Sequence, residues 1–151
     1  FWLSDDLGFN SGPFLSPADL REFVFPIYAE IGRMCRARKL PFILHSCGNL
    51  NSILGDLVQC GVNCFHSLPP GLYDLAQLKR DWGHKLAFSG NVDLNILALG
   101  TEEETRQAVR AVKQVWAAQP RGGILLSSSN SVANYCRLEN YLAMMDEMLA
   151  P

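Results

Sequence analysis

The motif His45-Ser46-Cys47 carries the residue types in this chain that are best suited to hold a metal ion. Side chains two residues apart on a β-strand point to the same face, so His45 and Cys47 can reach one ion together. Imidazole nitrogen and thiolate sulfur are ligands that zinc prefers, and a catalytic zinc keeps one position open for a substrate. The motif therefore predicts a zinc site. The alternative is a core thiol beside a histidine that hydrogen-bonds a neighbouring loop.

Other polar side chains occupy comparable positions, where each predicted strand ends. Asp5 and Asp6 follow the first strand, His66 ends a later one, and Asp93 and Asn130 follow the last two. Active sites of parallel α/β barrels lie at the carboxyl ends of the strands. These residues are therefore candidates for one site. For His66 the alternative is a structural role, and for Asp93 it is the cap of the following turn.

Short apolar strands alternate with helices along the chain, which indicates parallel strands that are buried on both faces. The predicted strands lie at 1–6, 41–45, 62–66, 85–89 and 123–127, and the predicted helices at 17–38, 50–58, 74–81, 101–118 and 138–149. No Gly-x-Gly-x-x-Gly motif follows a strand, which weakens a dinucleotide-binding sheet. A strand end followed by four strand–helix units amounts to about half of an eight-stranded barrel.

Two helices carry clear sequence markers. The first is capped by Ser16 with Pro17 at its first position, and Pro26 is expected to kink it. Its apolar residues recur at helical spacing and predict one apolar face: Leu20, Phe23, Val24, Ile27, Ile31 and Met34. A later helix begins with a capping box formed by Thr101 and Glu104.

The composition excludes several classes of protein. The 151 residues are 48% hydrophobic and 19% charged, with a net charge of −2, so neither disorder nor a basic nucleic-acid surface is indicated. The apolar runs are far shorter than the roughly 20 residues that a membrane span needs. The length predicts a single domain over 1–151. A start at Phe1 without methionine and the low charge favour a fragment of a longer protein.

Cysteine usage points to a reducing compartment. Five cysteines at irregular spacing, without a signal pattern, predict free thiols and a cytoplasmic location.

Motifs spread along the whole chain resemble the C-terminal half of the uroporphyrinogen decarboxylase (URO-D) superfamily. They include Asp5-Asp6-Leu7-Gly8, Ser16-Pro17, the segment 45–49, Leu78-Lys79, Gly90-Asn91-Val92-Asp93, Gly122-Gly123-Ile124 and Glu139-Asn140. The resemblance implies an α/β fold, a parallel (β/α) barrel of the TIM type of which this chain is roughly the C-terminal half. The N-terminal half of the same barrel would then be its partner, and a homo-oligomer is an open expectation.

The superfamily combines two chemistries. Uroporphyrinogen decarboxylase, in porphyrin and heme biosynthesis, removes four acetate carboxyl groups without a metal or cofactor. Cobamide-dependent methyltransferases use zinc to move a methyl group between a corrinoid and a thiol, and carry His-x-Cys-Gly where this chain has residues 45–48. The resemblance thus favours the methyltransferase branch, with a small-molecule substrate and a corrinoid or corrinoid protein as partner. A decarboxylase and a non-catalytic, degenerate barrel module are the alternatives.

The resemblance also implies roles for individual residues. His45 and Cys47 would bind the metal, Asp6 and Asp93 would orient ligands or substrate, and the remaining candidates would bind substrate: Asp5, His66 and Asn130. The methyltransferases supply a further cysteine after the last strand, where this chain has Asn130. The third ligand therefore stays open between Cys136, Asp5 and Asp6.

Overall fold

The computed structural model describes residues 1–118 and 123–150. Its strands are β1 (Trp2–Ser4), β2 (Gly8–Phe9), β3 (Gly12–Pro13), β4 (Ile43–His45), β5 (Cys64–His66), β6 (Ala87–Val92) and β7 (Ile124–Ser128). Its α-helices are α1 (Pro17–Asp19), α2 (Phe25–Ala37), α3 (Leu54–Cys60), α4 (Leu75–Trp82), α5 (Leu94–Leu99), α6 (Glu102–Ala117) and α7 (Leu138–Leu149). A π-helical turn, Leu20–Val24, joins α1 to α2, and a 3₁₀ turn, Asn51–Ile53, precedes α3.

Five strands form one parallel sheet in the order β1-β4-β5-β6-β7, and β2 and β3 form a separate short hairpin. Each strand of the sheet pairs with the next one along the chain, so helices cover one face in succession. Fully buried side chains on that face include Leu44, Phe65 and Phe88. The predicted α/β fold with parallel strands is confirmed. The opposite face carries the alternate residues, among them His45 and His66.

The apolar face predicted for the first long helix is wrong at three of its six residues, whereas Val24 and Ile31 are partly buried and pack against the core. Leu20 is buried as expected, but Phe23, Ile27 and Met34 are exposed. The buried residues of α2 are each shifted by one position: Phe25, Tyr28, Gly32 and Cys35. The π-helical turn explains the shift, because the N–H of Phe25 donates to the carbonyl of Leu20 and one extra residue rotates the rest of the helix. Pro26 follows at once, in the first turn of α2, where a missing N–H costs nothing.

The later helices are fastened by polar side chains. The predicted capping box is present, since Thr101 accepts from the N–H of Glu104 and the Glu104 carboxylate accepts from the N–H of Thr101. Lys79 of α4 is buried and donates to the carbonyls of Val115 and Trp116 in the last turn of α6 and to that of Ala118, which caps the helix. Nothing in the sequence around Lys79 marks it as buried. It holds α4 against α6 and satisfies carbonyls that have no partner within the helix.

Replacing Gly32 with alanine is expected to destabilise the fold by about 1–3 kcal/mol, although alanine favours a helix by roughly 1 kcal/mol. At Gly32, α2 crosses α3 so closely that a Cβ atom would overlap the carbonyl oxygen of Cys60. Gly55→Ala is the matched control, because its Cβ would meet only the side chain of Trp82, at 3.2 Å. Equal midpoints for both variants in urea unfolding would contradict this close crossing.

Within the described residues, no helix combines the length and the apolar character needed to cross a membrane.

Candidate metal centre

Two neighbouring parallel strands place a pair of histidines side by side. His45 of β4 lies in register with His66 of β5, and the Nδ1 atoms of the two rings are 2.6 Å apart. The Nε2 atom of His45 points the other way, towards Cys47 Sγ at 3.9 Å and Asp6 Oδ1 at 3.8 Å. The strand ends therefore bring His45, Cys47 and Asp6 together, as their positions along the chain predicted.

Asp6 is fixed in this cluster by the loop that carries the thiol. Its Oδ1 accepts from the backbone N–H of Cys47 at 2.9 Å. A second bond ties the same two segments, from the N–H of Leu7 to Ser46 Oγ at 2.9 Å. One donor atom from each of Asp6, His45 and Cys47 lies within 4.8 Å of the others, which is a spacing that a single metal ion can bridge.

The ionisation of the cluster follows from these contacts. The hydrogen bond from the Cys47 backbone holds the pKa of Asp6 below its usual value. Burial raises the pKa of the Cys47 thiol, and the neighbouring Asp6 raises it further. Burial lowers the pKa of His66, with a smaller contribution from His45, against an opposing backbone hydrogen bond at Ser128. Asp6 is thus an anion and Cys47 a protonated thiol near neutral pH until a cation binds.

Asn130 reaches the cluster from the loop after β7. Its Nδ2 atom donates to Cys47 Sγ at 3.6 Å, and its Oδ1 accepts from the N–H of Ser131 at 2.8 Å. The contact joins residues 83 positions apart in the chain. The position after the last strand therefore adjoins the thiol, as the resemblance implied.

The comparisons with known proteins identify the family and the fold of the chain. The sequence model of the family described as uroporphyrinogen decarboxylase (URO-D) matches residues 3–149. The chain belongs to the uroporphyrinogen decarboxylase family. No curated protein sequence matches the chain. Among solved structures, a methyltransferase from Methanosarcina mazei aligns with a TM-score of 0.75 and 20% sequence identity.

The alignment covers 97% of this chain and 40% of the methyltransferase chain, so this chain spans less than half of that protein's length. At this identity the similarity concerns the fold. Together with the parallel sheet and the URO-D match, it confirms the prediction that the chain forms part of a TIM-type barrel.

An open cavity of about 350 Å³ lies beside the cluster in this URO-D domain. Its walls are Trp2, Ser4, Asp5, Asp6, His45, His66 and Ser131. Asp5 is held there by the hydroxyl of Tyr28, which donates to its Oδ2 at 2.7 Å. Burial raises the pKa of Tyr28, so the phenol remains a hydrogen-bond donor. The predicted substrate-binding residues Asp5 and His66 therefore face a space that a small molecule can enter.

Two other candidates lie elsewhere in the domain. The Asp93 carboxylate accepts from the N–H of Asn95 at 2.8 Å and caps α5, which is the alternative that the sequence left open. It lines a different cavity, between α5 and α6. Cys136 packs beside a small apolar cluster that includes Val92 and Met144. The structure brings neither side chain to His45.

The loop after Cys47 is held by the side chain of Tyr73. The hydroxyl of Tyr73 donates to the carbonyl of Gly48 and accepts from the N–H of Leu50. Burial raises the pKa of Tyr73 to about 12. Only the tertiary structure shows this clamp, because Tyr73 follows a Pro-Gly turn and has no motif around it.

Gly48→Ala is expected to destabilise the domain by about 1–3 kcal/mol more than Gly71→Ala does. Both glycines have a positive φ, +92° and +83°, so both substitutions carry the same backbone strain. A Cβ at Gly71 would meet nothing within 4 Å, whereas one at Gly48 would strike the backbone of Gly8. Labelling of Cys47 by a thiol reagent should therefore accelerate only in Gly48→Ala. Equal unfolding energies and labelling rates for the two variants would contradict the prediction.

Proposed function

We propose that this chain carries the metal-binding half of a zinc-dependent methyltransferase of the URO-D family. The observation that supports the proposal best is the convergence of Asp6, His45 and Cys47 at one end of the sheet. The protein would transfer a methyl group between a corrinoid, free or bound to a partner protein, and a small thiol. The M. mazei methyltransferase shares the fold, which favours this branch without naming a substrate.

The donor set suits zinc in type and in spacing. Nitrogen, thiolate sulfur and carboxylate oxygen are all zinc ligands, with bond lengths of about 2.0–2.3 Å. Tetrahedral geometry with these lengths places donor atoms about 3.4–3.8 Å apart. The distances from His45 Nε2 are 3.9 Å to Cys47 Sγ and 3.8 Å to Asp6 Oδ1, and all three donor atoms lie within 4.8 Å of one another, so the cluster would contract to hold the ion. In this proposal Asp6 is the third ligand, in place of the second cysteine of the relatives.

The side chains have defined tasks in this mechanism. Zinc, when bound, supplies a positive charge that stabilises the acceptor thiol as a thiolate. His45, Cys47 and Asp6 would hold that charge, and His45 and Asp6 border the cavity through which an acceptor could reach it. Cys47 must give up its proton to become a ligand, because only the thiolate binds metal.

The cavity residues would position the acceptor. Asp5 and His66 line the space next to the ligands, and the amide of Asn130 donates to Cys47 Sγ. A hydrogen bond to a ligating thiolate moderates its charge, so Asn130 would tune the metal as well as border the substrate.

A decarboxylase is the second candidate, because the matching family is described as uroporphyrinogen decarboxylase. Asp5 and Asp6 both line the cavity, and a carboxylate there could stabilise a protonated pyrrole. In that reaction no metal is needed, and the contact between His45 and Cys47 would have no catalytic task.

Metal analysis and two assays of the purified protein separate these functions. The methyltransferase proposal predicts near-stoichiometric zinc and methyl transfer from methylcobalamin to a small thiol, both lost after Cys47→Ser. The decarboxylase predicts turnover of uroporphyrinogen in metal-free protein that Cys47→Ser leaves unchanged. A purified protein that binds no zinc, or that binds zinc but transfers no methyl group, would overturn the proposal. If neither methyl transfer nor decarboxylation is detected, the non-catalytic module is favoured.

A further inference from the structure

The two ring nitrogens of His45 have different surroundings. Nδ1 lies 2.6 Å from Nδ1 of His66, whereas Nε2 faces Cys47 Sγ and Asp6 Oδ1 at 3.9 and 3.8 Å. The 3.8 Å to Asp6 exceeds the roughly 2.7–3.2 Å of an N–H···O hydrogen bond, and the 3.9 Å to sulfur is a long hydrogen-bond contact, so both distances leave room for a shared ion. His45 thus presents Nε2 to the metal centre and Nδ1 to His66.

The 2.6 Å contact between the two Nδ1 atoms requires that one proton lie between them. Two protonated Nδ1 atoms would repel each other, and so would two lone pairs, so one ring donates and the other accepts. In the proposed function Nε2 of His45 binds the metal through its lone pair, so the one proton of the neutral His45 ring lies on Nδ1. His45 is then the donor at the short contact, and Nδ1 of His66 accepts.

His66 is well fixed for this task. It is 9% exposed and lies in register with His45 on the neighbouring strand. The ring of Trp2 packs against it, with the ring centroids 5.3 Å apart. Because the His66 ring has little freedom to move, its hydrogen bond can fix both the orientation of the His45 ring and the nitrogen that carries the His45 proton.

We propose that His66 is a positioning residue for His45: it accepts the Nδ1 proton of His45 and thereby directs the Nε2 lone pair towards Cys47 and Asp6. The inference rests on the proposed function, in which His45 is a metal ligand. In metal-binding histidines the N–H of the second ring nitrogen usually donates to a fixed partner, and loss of that partner lowers metal affinity about 10–100-fold.

The first test compares two substitutions of similar size in the full chain. His66→Asn keeps a hydrogen-bond acceptor near the position of Nδ1, whereas His66→Leu removes it. We expect zinc affinity to fall about 10–100-fold in His66→Leu and to stay within about threefold of the parent in His66→Asn. Equal losses in both variants would overturn the proposal, since they would indicate that His66 is a ligand or a packing residue. Unchanged affinity in His66→Leu would overturn it as well.

The second test observes the ring proton directly in metal-free protein. Nitrogen-15 NMR of labelled histidine distinguishes the two tautomers. We expect His45 to carry its proton on Nδ1 in the parent and in His66→Asn, and to lose that preference in His66→Leu. A proton on Nε2 of His45 in the parent would overturn the proposal. If the protein bound no zinc at all, the proposed function would fail, and this tautomer result would still decide the role of His66.

Discussion

Cys47→Ser is expected to lower the zinc affinity of the protein by at least about 100-fold. Loss of a residue that only supports a metal ligand costs about 10–100-fold, so loss of a ligand should cost at least the upper end of that range. Serine keeps the size of the side chain but offers a neutral hydroxyl in place of a thiolate. Competition against a chromophoric zinc chelator measures the affinity, and thermal unfolding shows whether the variant is folded.

Cys136→Ser is the matched control for this substitution. Cys136 is also a free, partly buried thiol, but it packs beside Val92 and Met144 and not beside His45. Its replacement should leave zinc affinity unchanged. Equal affinities of the parent and Cys47→Ser would show that Cys47 is not a ligand, and the main argument for a methyltransferase would be lost.

The Cys47 thiol also determines how zinc affinity is expected to depend on pH. Burial and Asp6 raise the pKa of Cys47, so the metal-free protein keeps the thiol proton at neutral pH. Zinc must displace that proton, and each proton released strengthens binding about tenfold per pH unit. Zinc affinity should therefore rise with pH up to the thiol pKa. This slope should disappear in Cys47→Ser and persist in Cys136→Ser.

The sequence predicted the residues that meet at the strand ends more accurately than the residues that are buried on the helices. His45, Cys47 and Asp6 were placed near one another because parallel strands bring their carboxyl ends to one edge, which is a property of the whole fold. The buried face of α2 was misassigned because one extra residue in the π-helical turn, Leu20–Val24, rotates everything after it. Regular periodicity cannot show a single irregular turn.

The contacts that the site residues make with other side chains could not be predicted from the sequence. His66 was proposed to bind substrate, but no spacing rule shows that its ring meets that of His45 from the next strand. The clamp of Tyr73 on the Gly48 loop is likewise a contact across 25 residues. The local sequence allowed two interpretations of Asp93, a site residue or a cap of the following turn. Only the hydrogen bond that it accepts from the N–H of Asn95 shows that it caps a helix.

Asn130→Cys is expected to raise zinc affinity about 100-fold, because it adds a thiolate to a site whose third ligand is the exposed carboxylate of Asp6. The side chain of Asp6 is 57% exposed, so water competes for its charge. Asn130 Nδ2 lies 3.6 Å from Cys47 Sγ, close to the roughly 3.8 Å between two thiolates on one zinc. The new sulfur would stand near Asn130 Cγ, about 1.3 Å further back, and the loop must close by that distance.

Asn130→Ser separates the added ligand from the removed amide. Both substitutions delete the hydrogen bonds of the Asn130 amide to Cys47 Sγ and to the N–H of Ser131, but only cysteine supplies a thiolate. Chelator competition should therefore show a gain for Asn130→Cys and none for Asn130→Ser. With cobalt in place of zinc, the gain should appear with a stronger thiolate-to-metal absorption band. Equal affinity in all three proteins would mean that the loop does not reach the ion, and Asp6 would then remain the third ligand proposed for this chain.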